Sequence, residues 1–330
     1  MPSLMENIVR TLLVSFFTVL WSTVTLIKLL WEWFNYKDTK AGPWQHRFLQ
    51  LSKIRMHYVE AGDPSRPLMV MVHGFPEFWY SYRFQLRHFQ KDYHVVALDL
   101  RGYGQTEKPV GLANYDTDVL AGDVVEAIEQ LGGKAILIGH DWGAAVCWTV
   151  AIKRPDVIAD RLVILNLPHP KSLSKMMKTS GSQVLKSWYM FMIQCPWLPE
   201  LRIKVNDFLF LDQMLRGPFF GLKHSENFTD EDMEAWKYTF GMSGNTLTAP
   251  LDYYRQNMRS APSKKYPKEL VQPKTLIIWG EQDAALEVEG AVQSVPLCRD
   301  AKLVRIAKAS HWVQQDAPEQ VNSLIEQFVK

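Results

Sequence analysis

Residues 139–143, Gly139-His140-Asp141-Trp142-Gly143, are the part of the sequence that best predicts the architecture of this protein. The apolar run from Ala135 to Ile138 before them predicts a strand, and the stretch from Ala144 to Ala151 after them is compatible with a helix. A strand, a sharp glycine-flanked turn and a helix in this order form a nucleophile elbow, which presents one side chain at its tip. Here that side chain is Asp141, at the position where such elbows usually carry serine.

The aspartate predicts a different first chemical step. A carboxylate is already anionic at neutral pH and can displace a leaving group at a saturated carbon. The product is an alkyl ester of the protein, and water can attack the carbonyl of that ester. The elbow therefore predicts a two-step hydrolysis that begins at an epoxide or a halide.

Size and composition are those of a globular α/β protein. The 330 residues can form one large domain with an insertion, the hydrophobic fraction is 47%, and the net charge of +2 argues against nucleic acid as a partner. Cys147, Cys195 and Cys298 are widely spaced and form no CxxC pair, so neither a disulfide framework nor a zinc site is indicated. We expect buried, reduced thiols and no cofactor or metal.

From about Arg47 onward, strand-like and helix-like segments alternate, which is typical of a mostly parallel sheet with helices on both faces. An antiparallel pair of strands is expected around residues 48–60. The further predicted strands are 68–72, 94–100, 135–139, 162–165, 275–279 and 302–306, and the predicted helices are 78–89, 117–131, 143–153 and 318–328.

The alternation stops between about Pro168 and Pro273. This stretch is rich in Met, Phe, Trp and Tyr and lacks β-branched runs, which predicts a helical insertion at 171–273 between two core segments, 41–170 and 274–330. Ligands of open α/β sheets bind beyond the carboxyl ends of the strands, where Asp141 is expected. We therefore expect the insertion to form a lid over Asp141.

The N-terminal region, 1–40, reads as a membrane anchor. Thr11 to Ile27 is a run of 17 uncharged, mostly apolar residues, and beyond Lys28 it continues to Trp31, close to the roughly 20 residues that a bilayer span needs. Aromatic residues then follow as an interfacial belt. A cleaved signal peptide is the alternative, although the apolar run is long for one and no Ala-x-Ala site follows.

Basic residues are more numerous after this span than before it, which favours a cytoplasmic catalytic domain. The glycosylation triplet Asn227-Phe228-Thr229 weakly indicates the opposite orientation. We expect a single-pass protein of the endoplasmic reticulum membrane.

His311 is the candidate base for hydrolysis of the ester. It lies in Ala309-Ser310-His311-Trp312, directly after the last predicted strand, and histidine titrates near neutral pH. An orienting carboxylate is expected between nucleophile and base in chain order, and Asp283 follows the preceding strand. Glu281 is an alternative, whereas Asn166, at the end of another strand, cannot carry the charge.

His73-Gly74-Phe75-Pro76 offers a backbone donor for the oxyanion of the intermediate. Phe75 supplies its amide, since Pro76 has no N–H, and Trp142 supplies the second donor directly after the nucleophile. A cis bond between Phe75 and Pro76 would fix the turn. The alternative interpretation of these four residues is a simple tight turn.

Four motifs in combination resemble those of the α/β-hydrolase epoxide hydrolases, and in layout the membrane-anchored epoxide hydrolases 3 and 4. The resemblance covers about Arg47 to the C-terminus and includes the N-terminal anchor. It implies an enzyme that opens epoxides to vicinal diols. The motifs are His73-Gly74-Phe75-Pro76-Glu77 with Trp79-Tyr80-Ser81, Asp99-Leu100-Arg101-Gly102-Tyr103-Gly104, the elbow, and His311-Trp312.

The resemblance also implies two lid tyrosines that donate protons to the epoxide oxygen. Tyr254, in Pro250-Leu251-Asp252-Tyr253-Tyr254-Arg255, matches one of them, and Tyr253 is expected to point away. Gln194-Cys195-Pro196 places Met192 where the second phenol is expected, so this chain departs from the family pattern there. Tyr189, about one helical turn earlier, is the substitute candidate.

Two alternative functions remain open. A haloalkane-type dehalogenase would share the nucleophile and the base, but such proteins usually place Asn or Glu after His73-Gly74, where this chain has Phe75. A non-catalytic, membrane-tethered relative is expected to lose members of the catalytic set, all of which are present. The expected substrate is an apolar epoxide of a lipid or a fatty acid.

Overall fold

The computed structural model describes residues 44–258 and 270–330, together with the helical residues 15–16, 19–20 and 22–23. Residues 1–42 and residues 43–330 form two separate units, and the second contains the whole sheet. Apart from those six residues, the predicted membrane span at 11–31 lies outside the described residues. Among the helices that are described, none has the length and hydropathy of a membrane span.

One eight-stranded sheet forms the centre of the second unit, in the order β1-β2-β4-β3-β5-β6-β7-β8. Strands β3 to β8 run parallel to one another, and β1 and β2 add an antiparallel edge, with β2 pairing antiparallel to β4. This topology confirms the predicted class. The strands are β1 Gln45–Gln50, β2 Arg55–Ala61, β3 Leu68–Val72, β4 His94–Leu98, β5 Ala135–His140, β6 Ile158–Leu165, β7 Lys274–Gly280 and β8 Ala301–Ile306.

The apolar runs explain the central strands. Every residue of β3, β4 and β5 is buried, as expected for parallel strands covered by helices on both faces. The edge strand β1 is mostly exposed and polar. The central strands therefore fix a rigid edge at which the loops after β3, β5, β7 and β8 meet.

Helices pack around the sheet and continue through the insertion. The predicted helix at 78–89 begins as a 3₁₀ turn, Trp79–Tyr82. The helices are α1 Arg83–Phe89, α2 Thr117–Leu131, α3 Trp142–Lys153, α4 Pro170–Thr179, α5 Gly181–Lys186, α6 Trp188–Ile193, α7 Leu198–Leu215, α8 Asp230–Gly241, α9 Thr248–Met258, α10 Val288–Val292, α11 Val313–Asp316 and α12 Pro318–Val329. Helix α7 is kinked, because the backbone of residues 205–208 is not helical.

Residues 170–258 contain helices α4 to α9 and no strand. Two indole groups connect this region to the sheet: Trp236 Nε1 donates to the Pro76 carbonyl at 2.7 Å, and Trp312 Nε1 donates to the Met214 and Phe220 carbonyls at 3.0 and 2.9 Å. The insertion helices are therefore held against the loops that follow β3 and β8.

The cysteines correct one expectation. Cys147 and Cys298 are buried free thiols as predicted, but Cys195 is exposed. It lies in the loop between α6 and α7, where Pro196 follows it and the chain turns at the surface of the insertion.

Candidate active site

Asp141 stands at the tip of the turn between β5 and α3. Its backbone has φ 47° and ψ −122°, a conformation that residues other than glycine rarely adopt. The turn is tight, since a Cβ on Gly143 would lie 2.0 Å from the Val72 carbonyl oxygen and one on Gly74 would lie 2.4 Å from the Asp141 Cβ. Glycine is therefore required on both sides of the carboxylate, as a nucleophile elbow demands.

The structure brings the three predicted residues of the triad together. His311 Nδ1 lies 2.7 Å from Asp283 Oδ2, and its Nε2 lies 3.5 Å from Asp141 Oδ2. The other oxygen of Asp283 accepts the N–H groups of Ala285 and Leu286 at 2.7 and 2.8 Å. The imidazole thus lies between two carboxylates, and hydrogen bonds to the backbone fix the orientation of one of them, Asp283.

The alternative carboxylate, Glu281, does not join this group. Its side chain pairs with Arg305 at 2.6 Å. Asp283 is therefore the carboxylate that contacts the candidate base.

The electrostatics of the triad are dominated by mutual charge stabilisation. Burial alone would lower the pKa of His311, but the charges of Asp283 and Asp141 and its hydrogen bonds to them raise it to about 10. Burial alone would raise the pKa of both aspartates, but the imidazolium lowers the pKa of each below its ordinary value. At neutral pH the free site therefore holds two carboxylates and one imidazolium.

The predicted backbone donors lie beside the Asp141 carboxylate. The Phe75 N–H donates to Asp141 Oδ1 at 2.8 Å, and the Phe75-Pro76 peptide bond is cis. Trp142 is the first residue of α3, so its N–H is among the amides that lack a partner within a helix. Both amides adjoin the carboxylate and suit a negative charge there.

The two candidate tyrosines face the same cavity. Tyr254 is buried on α9, with its ring centroid 5.0 Å from that of Trp142 and 5.9 Å from that of Tyr189 on α6. Burial and the charge of Asp141 raise the pKa of both phenols, which keeps them protonated. Tyr253 instead donates to the Arg101 carbonyl at 2.6 Å, and Met192 lines the cavity near Tyr189.

Arg255 ties the helices of the two tyrosines together. Its Nε donates to the Ile193 carbonyl at 3.0 Å, and its Nη1 pairs with Glu200 at 2.7 Å. The guanidinium follows Tyr254 in the chain and reaches the end of α6 and the start of α7. The positions of the two phenols are therefore coupled.

Sequence reasoning missed the role of Asn166. Its Nδ2 donates to Asp283 Oδ2 at 2.8 Å, and its Oδ1 accepts the Gly280 N–H at 2.9 Å. An uncharged amide suits this position because its N–H group donates a hydrogen bond to the Asp283 carboxylate. A carboxylate at position 166 would instead repel the charge of Asp283. The feature of the sequence that could have indicated this role is the position of Asn166 directly after β6.

Sequence reasoning also passed over Glu77, which is completely buried. Its carboxylate accepts the Gly74 N–H at 3.0 Å, lies 2.6 Å from His140 Nδ1, and accepts the side-chain amides of Gln314 and Gln315 at 2.9 and 3.0 Å. One anion thus connects the loops that carry Phe75, Asp141 and His311. The feature of the sequence that could have indicated this role is an acidic residue, Glu77, next to the apolar residues Phe75 and Pro76.

The cavity above the triad is largely apolar. Its charged lining residues are Asp141, His311 and Arg202, and Arg202 had not been predicted. Apolar side chains such as Phe210, Met214 and Leu251 form much of the rest. Among the described residues, no group of three or more His, Cys, Asp or Glu is arranged to hold a metal ion.

Comparisons with known proteins identify the family to which the chain belongs. Residues 67–318 match the family model described as alpha/beta hydrolase fold. The chain is 45% identical over 322 residues to Epoxide hydrolase 2 of Caenorhabditis elegans, covering 94% of this chain and 90% of that protein. It is 40% identical over 296 residues to Epoxide hydrolase 4 of Homo sapiens, covering 89% of this chain and 80% of that protein.

Solved structures show the same likeness. The inhibitor complex of an epoxide hydrolase from Bacillus megaterium superposes with a TM-score of 0.78 at 30% identity, covering 86% of this chain and 99% of that one. An epoxide hydrolase from Vigna radiata superposes with a TM-score of 0.72 at 28% identity. That chain is covered to 97%, and this one to 87%.

Proposed function

This chain belongs to the α/β-hydrolase family and is an epoxide hydrolase, and from this premise we propose that it opens apolar lipid or fatty-acid epoxides through an ester on Asp141. The observation that carries the mechanism is the His311 imidazole between Asp283 and Asp141, at 2.7 and 3.5 Å. A dehalogenase is less favoured, because Phe75 offers no polar side chain for a halide and two phenols face the cavity.

In the first step, an oxygen of Asp141 attacks one epoxide carbon, and the bond between that carbon and the ring oxygen breaks. The ring oxygen takes a proton from the phenol of Tyr254, with Tyr189 as a second donor. The Asp141 ester is neutral, so the pKa of His311 falls once one of its two carboxylate neighbours has lost its charge. The proton that His311 then releases restores the phenol.

In the second step, neutral His311 accepts a proton from water, and the resulting hydroxide attacks the ester carbonyl. The Phe75 and Trp142 amides stabilise the oxyanion. Collapse breaks the bond between the ester carbon and the alkoxide oxygen, and the alkoxide takes the proton of the newly added hydroxyl group to leave as the diol. The Asp141 carboxylate is thereby regenerated beside the His311 imidazolium, so that charges return to those of the free site. Asp283 and Asn166 orient the imidazole throughout.

The tyrosine assignment gives a first prediction. Tyr254→Phe is expected to slow formation of the ester by at least about 10²-fold if Tyr254 is the sole donor, because a positioned general acid contributes about 10² to 10⁴ in rate. If Tyr189 shares the donation, the single variants lose less and Tyr254→Phe/Tyr189→Phe loses more than either. Rapid-quench measurement of the ester checks this.

Tyr93→Phe serves as the matched control, because it removes a phenol that lies directly before the amino end of β4 and does not line the cavity. Full ester formation in Tyr189→Phe and no added loss in the double variant would remove Tyr189 from the site. Unchanged kinetics of Tyr254→Phe would contradict the assignment of the acid.

The cavity supports an apolar substrate with one anionic end. Arg202 lines the cavity but is itself exposed, and its guanidinium carbon lies 5.7 Å from the Phe210 ring centroid. In the part of the chain that the structure describes, no carboxylate pairs with it. A fatty-acid epoxide would place its chain along the apolar wall and its carboxylate on Arg202.

This placement gives a second prediction. Arg202→Gln is expected to lower kcat/KM about tenfold for an epoxy fatty acid and to leave its methyl ester unchanged, because only the acid carries the charge that Arg202 would bind. The control is Lys204→Gln, which removes a neighbouring exposed cation that does not line the cavity. Equal losses for acid and ester would contradict the subsite, and a preference for small, water-soluble epoxides would contradict the lipid class.

We further propose that residues 171–273 act as a lid and residues 1–40 as a single-pass anchor in the endoplasmic reticulum membrane, with the catalytic unit in the cytoplasm. The hydrogen bonds from the Trp236 indole to the core and from the Trp312 indole to the insertion support the lid. The support for the anchor is the apolar run at 11–31 and the basic residues that follow it.

A further inference from the structure

The lid helices carry most of the exposed large apolar side chains. Within 44–258 and 270–330 there are fourteen such residues, and ten of them fall between 184 and 219, while Phe48, Val110, Leu270 and Val292 are scattered. The ten are Val184, Leu185, Trp188, Phe191, Trp197, Leu198, Leu201, Val205, Leu209 and Phe219. A concentration of this kind marks a surface that contacts something other than water.

Eight of these residues form what we call the lid surface. Their spacing places them on one side of each helical segment, and α5 contacts α6, which contacts α7. On the opposite side, Ile193 and Ile203 are buried and line the cavity. The lid surface consists of Val184, Leu185, Trp188, Phe191, Trp197, Leu198, Leu201 and Val205.

These helices are therefore apolar on two sides, one of which faces the cavity and the other the outside. Leu185 is 76% exposed and Trp197 is 70% exposed. A helix with apolar residues on two opposite sides is usually buried on both of them, by protein or by lipid. The core shields the cavity side of these helices from water. We therefore expect another partner to bury their outer side.

The charge around the lid surface indicates what covers it. Residues 171–204 contain six basic residues, Lys171, Lys175, Lys178, Lys186, Arg202 and Lys204, and one acidic residue, Glu200. The Lys186 ammonium donates to the Asp283 carbonyl at 3.1 Å, so the other five supply the charge around the lid surface. Glu200 pairs with Arg255 at 2.7 Å, so its charge is compensated. Apolar and aromatic side chains among lysines match the headgroup region of an anionic bilayer, which attracts both.

We propose that the lid surface docks on an anionic phospholipid bilayer. Trp188 belongs to the lid surface and also lines the cavity, so docking brings the cavity wall to the lipid. Aromatic side chains favour this depth of a membrane. An apolar epoxide dissolved in the bilayer would then reach the cavity without crossing water. The inference depends on residues 171–205 and not on the N-terminal segment.

The exposed thiol of Cys195 permits a direct test on the full chain, because the other two cysteines are buried. We would attach an environment-sensitive fluorophore to Cys195 and reconstitute the protein into phosphatidylcholine vesicles with or without phosphatidylserine. Nitroxide groups high on the lipid acyl chains act as quenchers. In the phosphatidylserine vesicles we expect blue-shifted emission and at least twofold quenching.

Variants separate docking from anchoring. Leu185→Gln/Trp197→Asn/Leu201→Gln is expected to lose the quenching, and asparagine is chosen at 197 because it tolerates the positive φ there. Lys175→Gln/Lys178→Gln should raise the phosphatidylserine content required for quenching, since each basic residue near an anionic surface contributes about fivefold in binding. Val110→Gln, at a side chain 88% exposed outside the lid, and Lys302→Gln are the matched controls.

If the emission in every vesicle preparation were the same as in lipid-free protein, with no quenching, the proposal would be overturned. A blue shift in lipid-free protein that grows with protein concentration would also overturn it, because a second copy of the chain would then cover the face. Turnover of a water-soluble epoxide, measured on the same samples, shows separately whether the hydrolase function holds.

Discussion

Replacing Asp141 with alanine is expected to lower epoxide turnover by at least about 10⁴-fold, since no other carboxylate of the described site can form the ester and removal of a nucleophile commonly costs that much or more. The Phe75 N–H and the His311 Nε2 that contact this side chain would remain, so the cavity should still bind substrate. Steady-state turnover and substrate binding, measured on the same variant, check both expectations.

An isotope experiment on the unaltered protein tests the same assignment without mutation. In a single turnover in ¹⁸O-labelled water, the diol should carry ordinary oxygen from Asp141, and the label should enter the Asp141 carboxylate. Label in the diol of the first turnover would mean that water attacks the epoxide directly. The nucleophile would then have to be reassigned.

The second large effect concerns the base. His311→Gln is expected to open the epoxide but to stall as the Asp141 ester, with steady turnover reduced by about 10² to 10⁴, because the hydrolytic step alone needs an activated water. Mass spectrometry of the quenched protein should find the substrate adduct on the peptide that contains Asp141. The raised pKa of His311 in the free site, about 10, is consistent with a base that becomes neutral only after Asp141 is esterified.

His88→Gln is the matched control, since His88 is an exposed histidine on α1 that pairs with Glu326 and does not line the cavity. Its turnover should be unchanged. A normal turnover rate in His311→Gln, or equal losses of ring opening and ester hydrolysis, would contradict the assignment of ring opening to Asp141 and of ester hydrolysis to His311.

The departure at Met192 acquires a physical explanation in the structure. Met192 and Tyr189 are both on α6 and both line the cavity, so a phenol placed one helical turn earlier can still face the same space. The 5.9 Å between the ring centroids of Tyr189 and Tyr254 brings the two hydroxyl-bearing rings together. Whether both donate a proton is the question that the Tyr189→Phe variants address.

Local chemistry explains why the core could be predicted. The strands of the sheet are short apolar runs, and the helix Thr117–Leu131 has the bounds that its periodicity predicts. Parallel strands end at one edge, so Asp141, Asp283 and His311 could be assigned to a common site from their positions after three strands. These features depend on residues close together in the chain.

The α/β class, the elbow with its aspartate, and the chain order of Asp141, Asp283 and His311 that is expected of nucleophile, carboxylate and base can all be predicted from the amino-acid sequence. The contacts of Asn166 and Glu77 with this site, the place of Arg202 in the cavity wall and the exposure of Cys195 become visible in the folded chain alone. Each of these depends on contacts between residues distant in the chain, such as the 2.8 Å bond from Asn166 to Asp283. A local pattern reports the preference of a segment, whereas burial and partners depend on how the segments pack.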